Sequence, residues 1–274
     1  MTERRKFSEL GLASASGPAR VVVSHPDRDH ISLIPMVLGD AAPSAVMLGG
    51  CPADTGGCYS GTSLGPWVRQ MQESSVPVTD TFPAGFSNGG QPIPELACGG
   101  GQTWILTTSV GDTKNSRSMM NYLKVGSFSV IFSGDATDAT QESAVANNGG
   151  EPFKVAVLTG SHHGATTHGS NNAAWAASTN PLVLVFSAGT KYHHPSCDAA
   201  RAYEARGSLL QAVAHDFQCG DASGYQRSQP RVAAYDTETD GVITVTSDGE
   251  IMDVSCSLNT GCGLASSASL ELLQ

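Results

Sequence analysis

Residues 20–30 read RVVVSHPDRDH. The first half is a short β-branched run ending in serine, which predicts a buried strand. The second half packs four potential metal ligands, His25, Asp27, Asp29 and His30, into six residues. Imidazole together with carboxylate suits a divalent ion, zinc foremost and manganese as the other candidate. Six residues on a tight turn cannot wrap all four side chains around one ion. They can serve two neighbours, His25 and Asp27 facing one, Asp29 and His30 the other. Two ions about 3.5–4 Å apart can share a hydroxide that attacks a phosphorus or carbonyl centre. The bland alternative is an Asp-rich surface turn.

Three more runs of the same kind follow: 128–133 (FSVIFS), 155–159 (VAVLT) and 182–187 (LVLVFS). Helices are predicted over 65–73, 137–147, 172–177 and 197–206. Strands interleaved with helices argue an α/β domain. After Gln229 the pattern alternates, with hairpin signals at Asp240-Gly241 and Asp248-Gly249. Residues 39–115, rich in Gly and Pro, read as one or two irregular insertions.

The histidines carry the functional signal. Seven of the eight fall in three clusters: His25 and His30; His162, His163 and His168; His193 and His194. Each cluster lies at or just beyond the end of a predicted buried strand. The remaining strand ends in Gly134-Asp135. Residues just past strand ends converge on one edge of an α/β sheet, so the four strand ends point to one metal site. A competing reading makes Asp135 the N-cap of the helix starting near Thr137. His215 fits no cluster and is read as structural.

Composition narrows the classes. Hydrophobic residues make up 40% of 274, which fits a folded domain and excludes a disordered chain. No apolar run approaches the roughly 18 residues that span a bilayer, and the start, MTERRKFSEL, has no apolar segment of the signal-peptide kind. A soluble protein is expected, cytoplasmic or exported. The net charge of −10 gives no overall grip on nucleic acid, whereas a compact anionic substrate held by metal ions suffers less from it. None of the seven cysteines forms a CxxC pair, which argues against a structural zinc knuckle. Cys51 with Cys58, and Cys256 with Cys262, have spacings that can close short disulfide loops; reduced thiols are the alternative.

In their order along the chain these motifs resemble the metallo-β-lactamase fold. HPDRDH after a VVVS strand is similar to its HxHxDH signature, in the HxDxDH form of the ComEC-type DNA-uptake proteins. The likeness continues through residues 115–119, FSVIFSGDAT, VAVLTGSHHGATTHGS, LVLVFSAGTKYHHPSCDAARAYEA and the closing YDTETDGVITVTSDG. It covers residues 18–255, flanked by a tail at 1–17 and a C-terminal extension at 256–274. The resemblance implies an αββα sandwich of two mixed sheets with a dinuclear site at one edge. It implies metal ligands at His25, Asp27, Asp29, His30, Asp135, His162 and His194, with Asp135 bridging. His163 is the rival of His162, and His193 of His194. Asp29 and Asp135 are the implied catalytic carboxylates, Asp29 orienting the hydroxide. His163, His168, Lys191 and His193 are placed at the substrate, and Lys114 and Arg117 near it. Two departures stand out. The family opens with a strand pair some tens of residues before the signature, and only 24 residues precede His25, so those first strands are expected to be missing. No histidine occurs between His30 and His162, so a ligand that many members supply there is absent. The implied activity is metal-dependent hydrolysis of a small-molecule or nucleic-acid phosphodiester. The alternatives are a lactone or β-lactam hydrolase, or a non-catalytic metal-binding remnant.

Overall fold

The computed structural model describes residues 19–39, 42–97, 100–259 and 261–273. The expected tail, 1–17, lies outside the described residues. The chain runs through β1 (Arg20–Val23), the short helices α1 (Arg28–Ile31) and α2 (Ile34–Leu38), β2 (Ala45–Leu48), α3 (Gly65–Glu73) and β3 (Val78–Thr79). It continues through β4 (Gln102–Thr107), β5 (Met120–Val125), β6 (Phe128–Phe132), α4 (Asp138–Asn147), β7 (Val157–Thr159), α5 (Ala173–Thr179), β8 (Val183–Phe186) and α6 (Cys197–Glu204). It closes with β9 (Phe217–Asp221), β10 (Gly224–Ser228), β11 (Ala234–Asp236), β12 (Ile243–Ser247), β13 (Ile251–Cys256) and β14 (Ala268–Ser269).

A six-stranded mixed sheet, ordered β11-β8-β7-β6-β5-β4, forms the centre. Its first four strands are parallel and its last two antiparallel. Alternation along each strand sorts the side chains. Ile131, Leu158, Leu184 and Phe186 face the helices and pack with Ala144, Trp175, Ala200 and Tyr203. Val130, Val157, Val183 and Tyr235 face the other way, onto Met252 and Val254 of β13 and onto Leu270. Further along that second face, Ile105 and Met119 meet Met47 and, at the margin, Val22. So two separate three-stranded sheets, β1-β2-β3 and β12-β13-β14, cover the same face. The architecture is mixed α/β, with one large sheet as expected and the second layer divided in two.

Local chemistry explains the helices. Helix α3 starts with Pro66 in its first turn, where the missing N–H costs nothing. It buries Trp67, Val68 and Met71 against Val46 and Leu48 of β2. The Asn172 and Ser196 side chains accept from Trp175 N–H and Asp198 N–H, capping α5 and α6. Of the two expected hairpin turns, Asp248-Gly249 joins β12 to β13, with Asp248 Oδ1 accepting from the amides of Glu250 and Ile251. Asp240-Gly241 does not turn a hairpin. It ends a short helical turn, Thr237–Asp240, with Gly241 at φ +75°.

The stretch set apart as an extension, 256–274, contributes β14, Cys262 and Leu270 to the core under β13. Cys51 with Cys58 and Cys256 with Cys262 are bonded, at Cα separations of 5.4 and 5.8 Å. A third bridge, Cys197–Cys219, ties α6 to β9 at 4.8 Å. It was not legible because 22 residues separate its partners. Digestion of the unreduced protein should give three disulfide-linked peptide pairs, 51 with 58, 197 with 219 and 256 with 262, by mass spectrometry; free thiols at those positions would contradict the pairing.

Candidate metal centre

Strands β6, β7 and β8 are parallel neighbours, so their C-terminal ends come out on one edge. Beyond them stand Asp135, then His162 and His163, then His194. Strand β1 brings Ser24, His25 and the start of α1 to the same place, because Met119 N–H donates to the Ser24 carbonyl (2.8 Å). The His162 amide donates to the Gly134 carbonyl (2.9 Å), locking two of the loops together. Gly134 sits at φ +52°, and a Cβ there would lie 2.5 Å from Ser24 Cβ. Only glycine lets Asp135 follow the strand so closely. His162, His163 and His193 also have left-handed backbones, at φ 49°, 57° and 56°, a conformation that costs a non-glycine residue energy and clusters at functional sites.

The Asp135 side chain divides the site into two halves. Its Oδ2 lies 3.5 Å from His25 Nε2 and 3.7 Å from His162 Nε2. Asp27 Oδ2 is 3.6 Å from His25 Nε2 on that side. Asp135 Oδ1 lies 3.1 Å from His30 Nε2 and 3.6 Å from His163 Nε2. Asp29 Oδ2 joins this second half, 3.0 Å from His163 Nε2 and 3.8 Å from His30 Nε2. Each half thus holds two imidazoles, one carboxylate from the HPDRDH turn and one oxygen of Asp135. Asp135 does not cap the following helix; Thr137 occupies that position.

Three buried atoms converge here without a hydrogen-bond partner: His25 Nε2, His30 Nε2 and Asp135 Oδ1. The 3.1 Å approach of His30 to Asp135 is misaligned for an N–H to oxygen bond, so contact alone does not satisfy either atom. One ligand atom from each of these three residues falls within 4.8 Å of the others, and Asp29, His30 and His163 form a second such group. Buried polar atoms are nearly always paired, and a cation is the partner that satisfies lone pairs on imidazole and carboxylate together. A third group, Asp240 with Cys256 and Cys262, is no site, because its two sulfurs are in a disulfide.

The far nitrogens of three of the four rings are held. His25 Nδ1 lies 3.1 Å from Ser24 Oγ and 3.4 Å from Ser118 Oγ, and His30 Nδ1 lies 3.2 Å from Ser24 Oγ. His163 Nδ1 donates to the Ser187 carbonyl (2.6 Å). Such contacts fix ring orientation and turn each Nε2 inward, as in metal-ligating histidines generally. Burial, with His30 adding to it, drives His25 down to about 4, so the ring is neutral at pH 7. Burial works against protonation of His30 as well, but Asp135, Asp29 and Asp27 outweigh it and raise its pKa. For Asp135 burial favours the neutral acid. His30, His25 and His163 overcome this and hold it at about 2, so it stays a carboxylate. Burial lowers His162 and His194.

Other anticipated residues lie further out. The His194 ring is 6.2 Å from that of His162 and stacks 6.5 Å from that of His163, beside the two halves; like Asp27 and His162 it falls outside both close ligand groups. His193 turns away, edge-on to Tyr225 at 4.8 Å. Lys191 is exposed over the Tyr192 ring, and His168 is exposed. Lys114 donates to Asp27 Oδ1 (2.9 Å), and Arg117 donates from Nε to the Gly50 carbonyl (3.3 Å). His215 is buried between the Val213 and Ala234 carbonyls. Sequence reasoning missed Ser24 and Ser118, and it missed Asn115 as a site residue. Asn115 Nδ2 lies 3.3 Å from His162 Nε2, leaving His162 Nδ1 buried and unpaired.

No protein-family model matches the chain, and no curated protein matches it. Among solved structures, a variant of CmlA beta-hydroxylase is similar over 54% of this chain and 26% of that chain, at 14% identity and a TM-score of 0.33.

Two measurements test the centre. In zinc titration calorimetry, Ser118→Ala should weaken binding by roughly 10–100-fold, the cost of losing an outer contact. Asp135→Ala should weaken it more and remove one of the two binding events; unchanged binding in both variants would refute the ligand set. In the metal-free protein, His25 should titrate near pH 4 by NMR and His30 above the ordinary histidine value. Proton and metal compete for His30 Nε2, so zinc affinity should fall as pH drops through the raised His30 value.

Proposed function

We propose that this protein is a dinuclear metal-dependent hydrolase of the metallo-β-lactamase fold that cleaves a phosphodiester. The observation that carries the reading is the set of three buried, unpartnered atoms on His25, His30 and Asp135. The large sheet, with helices on one face and two smaller sheets on the other, supports the αββα arrangement.

His25, Asp27 and His162 would hold one ion and Asp29, His30 and His163 the other, with one oxygen of Asp135 serving each. Two imidazoles per half favour zinc, and the carboxylates tolerate manganese. Two divalent ions in such a site lower the pKa of a shared water toward neutrality and polarise a phosphoryl oxygen. Asp135 is ionised and nearly inaccessible, at 5% exposure, so its charge is spent inside the site and not on solvent. The Asp29 side chain, 61% exposed, stands at the mouth and is placed to take and return a proton. The stacked His163 and His194 rings form one wall at which a substrate oxyanion can be steered. Three carboxylates and one hydroxide against two divalent cations would leave the loaded centre near neutral, so it would not repel a singly anionic diester.

The purified protein should contain two divalent ions per chain by elemental analysis and should turn over bis-p-nitrophenyl phosphate in preference to nitrocefin or a simple lactone. Preference for either of the latter would move the substrate class to acyl compounds. Full metal content with no turnover of any of the three would replace the enzyme reading with a metal-binding one.

A further inference from the structure

We infer that the groove beside β1 is a substrate subsite, and that it takes an ester arm that is largely apolar and carries an N–H or O–H group. The inference rests on the phosphodiester reading above and narrows it to a substrate class, a diester with one such arm.

The groove has a volume of about 1100 Å³ and opens onto one half of the metal centre. Asp29, His30, His163 and Asp135 line it, whereas His25, Asp27 and His162 do not. An arm lying in it therefore leads away from the Asp29, His30 and His163 side. Strand β1 forms one wall from Arg20 to Ser24, roughly 13 Å of extended chain. A volume of this size stands at the upper end of small-molecule sites. It exceeds what two ions and a phosphoryl group need, and the surplus is room for a bulky arm.

The lining says what kind of arm fits. Among the described residues that form it, the carboxylates are Asp29 and Asp135 of the metal centre, and the one Lys or Arg is Arg20, four residues up β1 from Ser24. Arg20 already donates from Nε to the Glu95 carbonyl (2.6 Å). The rest is mainly apolar, including Val22 on the wall and Leu123 and Phe132 on the floor. Phe132 stands three residues before Asp135 and is 45% exposed, on the face where Val130 is buried. A large aromatic left open beside the centre has apolar area to lose to a ligand.

One amide interrupts this surface. Asn121 of β5 is the register partner of Phe132 in β6, and both line the groove. Asn121 is only 7% exposed, and its Oδ1 is buried with no hydrogen-bond partner. Buried amide oxygens are rarely left so. An unmet acceptor of this kind is costly, and a ligand that brings a donor recovers the cost. An N–H or O–H on the arm supplies that donor, and a plain hydrocarbon does not. Asn121 therefore distinguishes such an arm from a hydrocarbon chain of equal size, while Phe132 supplies apolar contact.

Two neutral probes test the groove without calling on catalysis. With the protein as purified, N-methyloctanamide, which has one N–H, should bind about 5-fold or more tightly than N,N-dimethyloctanamide, which has none. It should also shift the Asn121 and Phe132 signals in NMR spectra. Asn121→Leu should erase the preference, and Phe132→Ser should weaken both probes. Equal affinities of the native protein for the two amides, or no shift at Asn121 and Phe132, would overturn the inference. Turnover separates it from the hydrolase reading. In the zinc-loaded protein, octanoylaminoethyl p-nitrophenyl phosphate should exceed methyl p-nitrophenyl phosphate about 10-fold or more in kcat/KM, because its chain is buried. Equal turnover of the two diesters would overturn the subsite and leave the hydrolase standing. Amide binding without turnover of either diester would overturn the hydrolase, and with it the groove's role toward a substrate.

Discussion

A carboxylate with almost no access to water, set among four imidazoles, is the constraint around which this molecule is arranged. Leaving Asp135 charged in the interior without compensation would cost several kcal/mol. The structure compensates by drawing His25, His30, His162 and His163 to within 3.1–3.7 Å of its two oxygens. Two of those imidazoles remain unsatisfied at Nε2, so protein groups alone do not complete the account. A pair of cations would complete it, satisfying the lone pairs and balancing the carboxylates at once. Several features nearby serve that geometry: glycine at 134, left-handed backbones at His162 and His163, and hydroxyls or a carbonyl on the outer nitrogens of His25, His30 and His163.

Strain of this kind must be held by packing. The loops of the site leave from β6, β7 and β8, whose residues Ile131, Leu158, Leu184 and Phe186 are fully buried under α4–α6. The His194 loop is followed directly by α6, which is capped by Ser196 and tied through Cys197–Cys219 to β9. Backbone bonds then lace loop to loop, Ser196 N–H to the Gly164 carbonyl and Gly220 N–H to the Pro195 carbonyl. The left-handed turns at His162 and His193 are therefore anchored from both sides. A site built on such supports is preorganised, which is what lets ligands keep their places before an ion arrives.

How much of this was readable from the chain follows from how each feature is encoded. The runs around 130, 157 and 184 are buried over most of their length and the run around 20 is half-buried, but all four are short, β-branched or aromatic and nearly continuously apolar, so they stand out; all four are strands within two residues of expectation. Helix 65–73 was read at its observed bounds because its apolar face has a helical period. Strands β4 and β5 were missed, since each mixes polar and aromatic residues, and the pairs Trp104–Tyr122 and Ile105–Asn121 make sense only across the sheet. The histidines could be assigned to strand ends, but not to ions. That His162 and His163 sit on opposite oxygens of Asp135 depends on two successive left-handed residues, and no spacing rule encodes those. Ser24 and Ser118 gave no signal at all, because a serine beside a histidine is ordinary until the fold brings the hydroxyl to the ring.

The surroundings of the site bear on the size of substrate in the proposed reading. A long polyanion needs a track of cations, each neutralising one phosphate. Among the described residues most of the nearby cations are engaged, the exposed Arg28 of the ligand turn excepted. Lys114 is paired with Asp27, Arg117 and Arg20 donate to the carbonyls of Gly50 and Glu95, and Lys191 lies over Tyr192. With 25 acidic against 15 basic residues, the field of the whole chain repels a polyanion before it reaches the centre. A compact diester escapes both difficulties. It needs one charged group within reach of the ions, and Debye screening over about 8 Å at physiological salt removes most of the distant repulsion. The charge pattern therefore favours a small diester over a nucleic-acid strand, even though the motif order resembles proteins that handle DNA.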